Sequence, residues 1–300
     1  MTAITTVGIA VLDVVMTVES LPAGPGKHRA SSTHEVGGGV AANAAVTIAS
    51  LGCDARFVGC VGTDPVGQRI IDGLASAQVD SSLVRRIEGT SSPLSMVLVD
   101  ASGERLIVNH SDESLFQDGS PPTDDDLAGS DAVLVDMRWP TGAVAALGSA
   151  QRRGVPAIVD CDHDPLQNDG LSVLAAASHI IFAMPTLAEF AGTSDPADAL
   201  QRVGTYSNAW VAATAGADGV YWLNDGELCH QPAFQIDAVD TLGAGDVFHG
   251  AFAVALVEGR PLDEALRFAS AASAVKCTRP GGRSGIPNRA DVESFLKERE

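Results

Sequence analysis

The stretch Asp240-Thr241-Leu242-Gly243-Ala244-Gly245-Asp246 decides how this chain is read. It opens a helix-forming segment, Gly243–Glu258. Three small residues at a helix start let backbone N–H groups approach an anion closely, and the helix N-terminus adds partial positive charge. Asp246 ends that turn, where a hydroxyl could meet the same anion. A cradle for developing negative charge beside a general base is an arrangement for phosphoryl transfer. Taken alone, the same residues also fit a glycine-rich helix start with an ordinary acidic residue in its first turn.

A second glycine-rich helix start lies far upstream, at Gly37-Gly38-Gly39-Val40-Ala41-Ala42-Asn43-Ala44-Ala45. Its glycines give a ligand access to backbone, and Asn43 offers a donor and an acceptor to sugar hydroxyls. No Lys-Ser or Lys-Thr follows, so it is not a Walker P-loop. The co-occurrence of the two elements is more informative than either one.

Between them the chain alternates short apolar runs with alanine-rich helical stretches. Strands are expected at Thr6–Leu12, Ala55–Val61, Asp131–Asp136, Val155–Asp160, His179–Phe182 and Trp210–Thr214. Helices are expected at Gly39–Leu51, Asp64–Ala77, Leu262–Lys276 and Arg289–Lys297. Runs of this kind are what parallel strands buried on both faces look like, and repeated β-α units imply an α/β sheet. Val14–Val36 and Ser92–Val108 break the rhythm with polar residues and turn signals, and predict a small antiparallel sheet standing apart. Gln117–Asp126, with Pro121-Pro122, predicts a surface loop.

Composition excludes several classes. The 300 residues carry a formal charge of −19, from 38 acidic and 19 basic residues, and 45% are hydrophobic. Such a charge repels nucleic acid and anionic lipid, and such hydrophobicity argues against disorder. No apolar run approaches the ~20 residues of a spanning helix. Met1–Val7 has no basic segment, and the five cysteines are scattered without a C-x-x-C pair. The expectation is a cytoplasmic protein with reduced thiols and no structural zinc.

The two signatures together resemble those of the PfkB carbohydrate kinase family, carried by Gly38-Gly39-Val40-Ala41-Ala42-Asn43 and by Asp240–Gly250. The resemblance runs from Val7 nearly to the end. It implies the ribokinase-like α/β fold: one kinase domain over 1–300, with a mostly parallel central sheet flanked by helices. The lid would be a small β-sheet of segments 14–36 and 92–110. It further implies ATP with Mg2+, a small-molecule sugar substrate, and a homodimer formed through the lid.

Roles follow residue by residue from the same resemblance. Asp246 matches the base that takes the proton of the accepting hydroxyl. The backbone of Gly243, Ala244 and Gly245 matches the anion hole for the transferred phosphoryl group. Asp13, Gly38, Gly39 and Asn43 match positions that grip the sugar, and Thr214, Gly216 and Gly219 match the nucleotide loop. A K+-type site would draw on Asp240, Leu242, Lys276, Arg279, Gly281 and Gly285, provided the Lys276 and Arg279 side chains point away. The family's Asn-x-x-Glu motif, which organises water around Mg2+, is missing from Ala183–Glu189.

Within the family the chain is most similar to bacterial sulfofructose kinases, through Val36–Gly39, Asp136–Trp139, Gln231–Phe234 and Lys276–Pro287. In those enzymes a lysine, an asparagine and an arginine hold the sulfonate, and the matching positions are Lys27, Asn109 and Arg138. Each has a plainer reading. Lys27 sits in a turn, Asn109 at a strand end, and Arg138 could pair with Asp136 or stack on Trp139. A phosphosugar could use the same residue types, and a neutral sugar such as fructose or ribose stays open. A non-catalytic sugar sensor is the reading from another class, against which the intact Asp246 and Gly-Ala-Gly cradle argue.

Overall fold

The structure, a computed structural model, describes residues 2–167 and 169–299. The chain starts in β1 (Ala3–Val7), crosses outward into β2 (Val11–Thr17) and β3 (Ser32–Gly38), and returns through α1 (Val40–Ser50). It continues with β4 (Asp54–Val58), β5 (Cys60–Gly62), α2 (Pro65–Ser76), β6 (Val79–Asp80) and β7 (Arg85–Ile87). A second excursion forms β8 (Leu94–Val99) and β9 (Arg105–His110), followed by the single turn α3 (Ser114–Gln117). Strands and helices then alternate as β10 (Ala132–Val135), α4 (Pro140–Arg153), β11 (Ala157–Cys161), α5 (Gly170–Ala175) and β12 (His179–Ala183). Next come α6 (Met184–Ala191), α7 (Pro196–Val203), β13 (Trp210–Thr214) and a hairpin of β14 (Val220–Asn224) and β15 (Glu227–Gln231). The chain ends in α8 (Ala244–Val257), α9 (Leu262–Cys277) and α10 (Arg289–Lys297).

Nine strands form the main sheet, in the order β15-β14-β13-β12-β11-β10-β1-β4-β6. The seven from β13 to β6 run parallel, and the hairpin adds two antiparallel strands at one edge. That edge hairpin was not legible in the sequence. Alternate residues of each strand feed opposite faces, as a period of two requires. On β10, Ala132 and Leu134 enter the core beneath α1, α8 and α9, while Val133 and Val135 enter the core beneath α4 and α7. Both faces are therefore covered, which is why these runs read as continuously apolar.

The expected strand Thr6–Leu12 is in fact two. The chain leaves the main sheet at Gly8–Ala10 because the Asp136 carboxylate captures the Ile9 N–H at 2.8 Å. From there β2 pairs with β3 and β8 in a separate sheet of order β3-β2-β8-β9, which stands apart as expected but is mixed rather than antiparallel, because β2 and β8 run in the same direction. Ala55–Val61 likewise splits into β4 and β5 at Gly59.

α8 is apolar nearly all round, the pattern of a helix enclosed on every side. Phe252 is fully buried in it and stacks on Trp210 with ring centroids 5.6 Å apart. Truncating such a ring typically costs about 3–5 kcal/mol. α1 lies directly against α8 because Gly250 has no side chain: a Cβ there would fall 2.8 Å from Ala44 O and 2.9 Å from Thr47 Cβ. This close approach brings the starts of the two helices together.

Candidate active site

Parallel strands bind ligands beyond their carboxyl ends, at the point where the strand order diverges. Here that point lies between β1, followed in the sheet by β4, and β10, followed by β11. Asp136 and Arg138 follow β10, Asp160 and Asp162 lie at the end of β11, and the start of α8 faces them.

Asp246 lies in the first turn of α8, whose cap Gly243 takes the left-handed conformation at φ 76°. Its Oδ2 accepts a 2.6 Å hydrogen bond from Asn43 Nδ2 on α1. Burial pushes the Asp246 carboxyl up, the neighbouring Asp160 charge adds to that, and the Asn43 bond opposes both; the result is about 7. A carboxylate titrating near neutrality suits a general base. Of the three expected cradle N–H groups, that of Ala244 makes a 3.2 Å turn bond to Thr241 O. Gly245 is exposed, and a Cβ there would meet nothing within 4 Å. A helix leaves its first N–H groups without internal partners, so this end can receive an anion.

The expected sugar-gripping residues surround the same place. Asp13 on β2 sits against Gly38, where a Cβ would come within 2.2 Å of Asp13 Oδ2. Burial raises the Asp13 carboxyl, partly offset by a Ser95 hydrogen bond and the Arg283 charge. Arg283, from the Lys276–Pro287 stretch, reaches the same place although nothing in the sequence assigns it a role. Its Nε donates to Asn43 Oδ1 at 3.0 Å and its Nη2 to Gly38 O at 2.9 Å. Its side chain also fills the space a Cβ of Gly37 would need, with Nη1 only 2.0 Å from that position. Burial brings the Arg283 guanidinium down to about 10, against the pull of Asp13 and Asp246.

A buried ion pair lies under the start of α8. His249, unassigned from sequence, is 3% exposed, and its Nδ1 lies 2.9 Å from Asp160 Oδ2 and 2.7 Å from Gly245 O. Its Nε2 lies 3.3 Å from Ile181 O. Both ring nitrogens face acceptors only, which requires the imidazolium. Burial alone would lower the His249 pKa, but the Asp160 charge and these hydrogen bonds raise it to about 9. Asp162 is pushed up to about 7, by burial and then by Asp160. The sequence cue for both carboxylates was their place at the end of an apolar strand run.

Thr214 ends β13, and its hydroxyl donates to Phe182 O at 3.3 Å. Gly216 begins a short 3-10 turn, and the Gly219 carbonyl closes that loop by accepting from Ala215 N–H at 2.7 Å. All three lie at the carboxyl edge of the main sheet.

Lys27, Asn109 and Arg138 lie on three separate segments, and no hydrogen bond or ion pair joins them among the described residues. Lys27 is exposed in the irregular stretch between β2 and β3. Asn109 pairs with Ser95, which pairs with Asp13, so the three form one cross-strand row. Arg138 neither pairs its guanidinium with Asp136 nor stacks on Trp139. Its Nη2 donates to Asp162 Oδ2 at 2.8 Å, while its backbone N–H donates to Asp136 Oδ1. Trp139 stacks on Phe116 instead.

The residues expected to ring a monovalent cation come together, with one correction. Lys276 does not point away: its Nζ donates to Asp240 O at 2.9 Å. Arg279 does point away, to Asp291 at 2.9 Å. Burial would raise the Asp240 carboxyl, but the Gly282 and Leu242 N–H groups and the Lys276 ammonium outweigh it and hold it at about 2. Among the described residues no group of three His, Cys, Asp or Glu side chains could hold a metal ion, and no helix is long and apolar enough to cross a membrane.

Comparison with known proteins agrees with this geometry. The pfkB family carbohydrate kinase model matches residues 1–289. The chain is 32% identical to an ATP-dependent ribose-1-phosphate kinase of Halopiger xanaduensis, over 96% of this chain and 95% of that protein. It is 28% identical to a ribokinase of Haemophilus influenzae, over 91% and 92% of the two chains. The Arabidopsis thaliana ribokinase complexed with ribose and ATP superposes with a TM-score of 0.88 at 26% identity, covering 99% of each chain. This chain belongs to the pfkB family of carbohydrate kinases, ATP-dependent phosphotransferases that act on a sugar hydroxyl.

Proposed function

We propose that the enzyme phosphorylates an anionic ketose, 6-deoxy-6-sulfofructose, at its C1 hydroxyl. Asp246 takes the C1 proton as the hydroxyl oxygen attacks the γ-phosphorus of ATP. ADP departs, and 6-deoxy-6-sulfofructose 1-phosphate forms. The start of α8 receives the charge that develops on the phosphoryl oxygens. Asp13, Gly38, Gly39 and Asn43 fix the sugar hydroxyls, and Thr214, Gly216 and Gly219 serve the nucleotide.

The observation that carries the anionic substrate is at Arg138. Its Nη1 is buried and has no hydrogen-bond partner among the described residues, although Nη2 is engaged by Asp162. A buried guanidinium N–H without an acceptor is costly, and a tetrahedral anion supplies one. Asn109, in the row that begins at Asp13, adds an amide donor, and Lys27 an exposed ammonium.

A sugar phosphate is the second reading. It is favoured by the ribose-1-phosphate kinase among the relatives and by the same Arg138 donor. Mg2+ fits as an ion that arrives on the nucleotide and keeps most of its waters. Asp162, whose Oδ1 is buried without a partner among the described residues, would hold one of those waters. The ion would supply neutralisation of phosphate charge.

The outer face of the lid supports a homodimer. Met96, Leu106 and Val108 are exposed there, Val108 at 61%, and Met96 pairs with Val108 across the strands. A Met96→Glu, Val108→Glu double variant should run as a monomer in light scattering if that face joins two copies.

The substrate is tested by ADP release with 6-deoxy-6-sulfofructose, fructose 6-phosphate, ribose 1-phosphate, fructose and ribose at matched concentrations, before and after Arg138→Met. The proposal requires the sulfonated sugar to be preferred and to lose far more kcat/KM than fructose in the variant. Equal losses on both would make Arg138 a packing residue. Preference for a sugar phosphate would select the second reading.

A further inference from the structure

Lys276 is completely buried near the end of α9. Lysine is almost never fully buried unless its charge is matched, and here one residue does the matching. Its Nζ lies 2.9 Å from the Asp240 carbonyl oxygen and 3.2 Å from Asp240 Oδ2. Asp240 begins the loop that leads through Thr241 and Leu242 to Gly243, the cap of α8. The end of α9 holds the same loop by its backbone, since Cys277 O accepts from Val239 N–H at 2.8 Å and from Asp240 N–H at 3.1 Å.

Of the oxygens expected to bind a K+ ion, those of Asp240, Lys276 and Gly281 are already occupied. Asp240 Oδ1 accepts from Arg105 and from Leu242 N–H, and Oδ2 accepts from Gly281 and Gly282 N–H as well as facing Lys276. Gly281 O takes both the N–H and the hydroxyl of Ser284, at 3.1 and 2.9 Å. Lys276 O takes Arg279 N–H at 3.0 Å. A K+ ion is bound by a ring of oxygens whose dipoles replace its hydration shell. These oxygens are turned to N–H donors, and an ammonium group stands among them, so the residues do not fit an exchangeable K+.

We propose that the Lys276 ammonium is this enzyme's monovalent cation, covalently tethered, so that catalysis needs no K+ or Na+. The ammonium pulls the Asp240 carbonyl inward and fixes the loop that sets the first turn of α8. A tethered charge does this at every salt concentration and without a binding step. Lys276 is thus a positioning residue: it acts on the reacting phosphate through Asp240 and the loop, and does not touch it.

The test compares KCl with choline chloride at constant ionic strength, in buffer free of alkali metal ions. Two readouts are used: the initial rate of ADP release with whichever sugar turns over, and the melting temperature without substrates. The wild-type enzyme should change by less than twofold in rate and show no K+-specific shift in melting. Lys276→Met should lose tenfold or more in kcat in choline chloride, with partial recovery in KCl or methylammonium chloride and a K+-specific rise in melting temperature. Activation of the wild type by K+ of twofold or more overturns the proposal. So does a K+-specific rise in its melting temperature. If Lys276→Met does not fold, the two wild-type readouts decide by themselves. Neither readout depends on which sugar is the substrate.

Discussion

Asn43 donates to Asp246 over 2.6 Å, although 203 residues separate them. Asn43 is held from its other side by Arg283, whose Nε donates to Asn43 Oδ1 at 3.0 Å. One amide therefore joins the first glycine-rich helix start, the second, and the C-terminal loop. Its orientation follows from the two bonds, since its oxygen must face a guanidinium and its nitrogen a carboxylate.

Asp246→Asn removes the base and keeps the shape of the side chain. Turnover should fall by about 10²–10⁴-fold, the usual contribution of a general base. Sugar binding measured by calorimetry should change little. Normal turnover in this variant would remove Asp246 from the chemistry.

The rate should depend on pH through the same group. Asp246 acts only when deprotonated, and its carboxyl titrates at about 7. A profile of kcat/KM should therefore rise with pH to a plateau above neutrality. A profile flat from pH 5 to 8 would contradict this assignment.

His249 should govern stability on the alkaline side. The folded protein keeps its proton up to about pH 9, whereas the unfolded chain releases it near 6.5. The folded state thus binds more protons between those values, and stability should fall as pH rises through that window. His249→Gln should flatten this loss in urea unfolding at pH 6, 8 and 9.5. The variant should also lose about 3–5 kcal/mol at pH 6, because Asp160 is left buried without its partner. An unchanged slope from pH 6 to 9.5 would show that another group carries it.

Arg283→Met keeps bulk beneath Gly37 and removes the bonds to Asn43 and Gly38. Hydrogen bonds to charged groups contribute about 1.5–3 kcal/mol each, so kcat/KM should fall by at least about tenfold. Loss of the positive charge facing Asp246 should also move the rising limb of the pH profile upward. Retention of both values would make Arg283 a structural filler.

The phosphotransfer signature and the α/β alternation were legible in the sequence because both are local. Gly243–Asp246 carries its chemistry within one helical turn, and Trp210–Thr214 forms a strand with the boundaries its apolar run predicts. Boundaries failed where a distant group intervened. Asp136 captures Ile9 N–H and divides the expected strand Thr6–Leu12 into two strands of different sheets. The edge hairpin Val220–Gln231 was not legible because β14 is mostly half-buried and β15 largely exposed, unlike the fully buried runs that mark the parallel strands.

Residue types alone thus determined that a glycine-rich turn and a carboxylate open a helix within a layered α/β sheet. Tertiary structure alone decided which charges meet. His249 finds Asp160, Arg283 reaches Gly38 and Asn43, and Lys276 turns inward to Asp240. Each of these depends on how closely two helices or a helix and a loop approach, as the missing side chain of Gly250 allows for α1 and α8. A buried charge settles on whichever partner the packing leaves within reach, because leaving it unpaired costs more than any local preference can return.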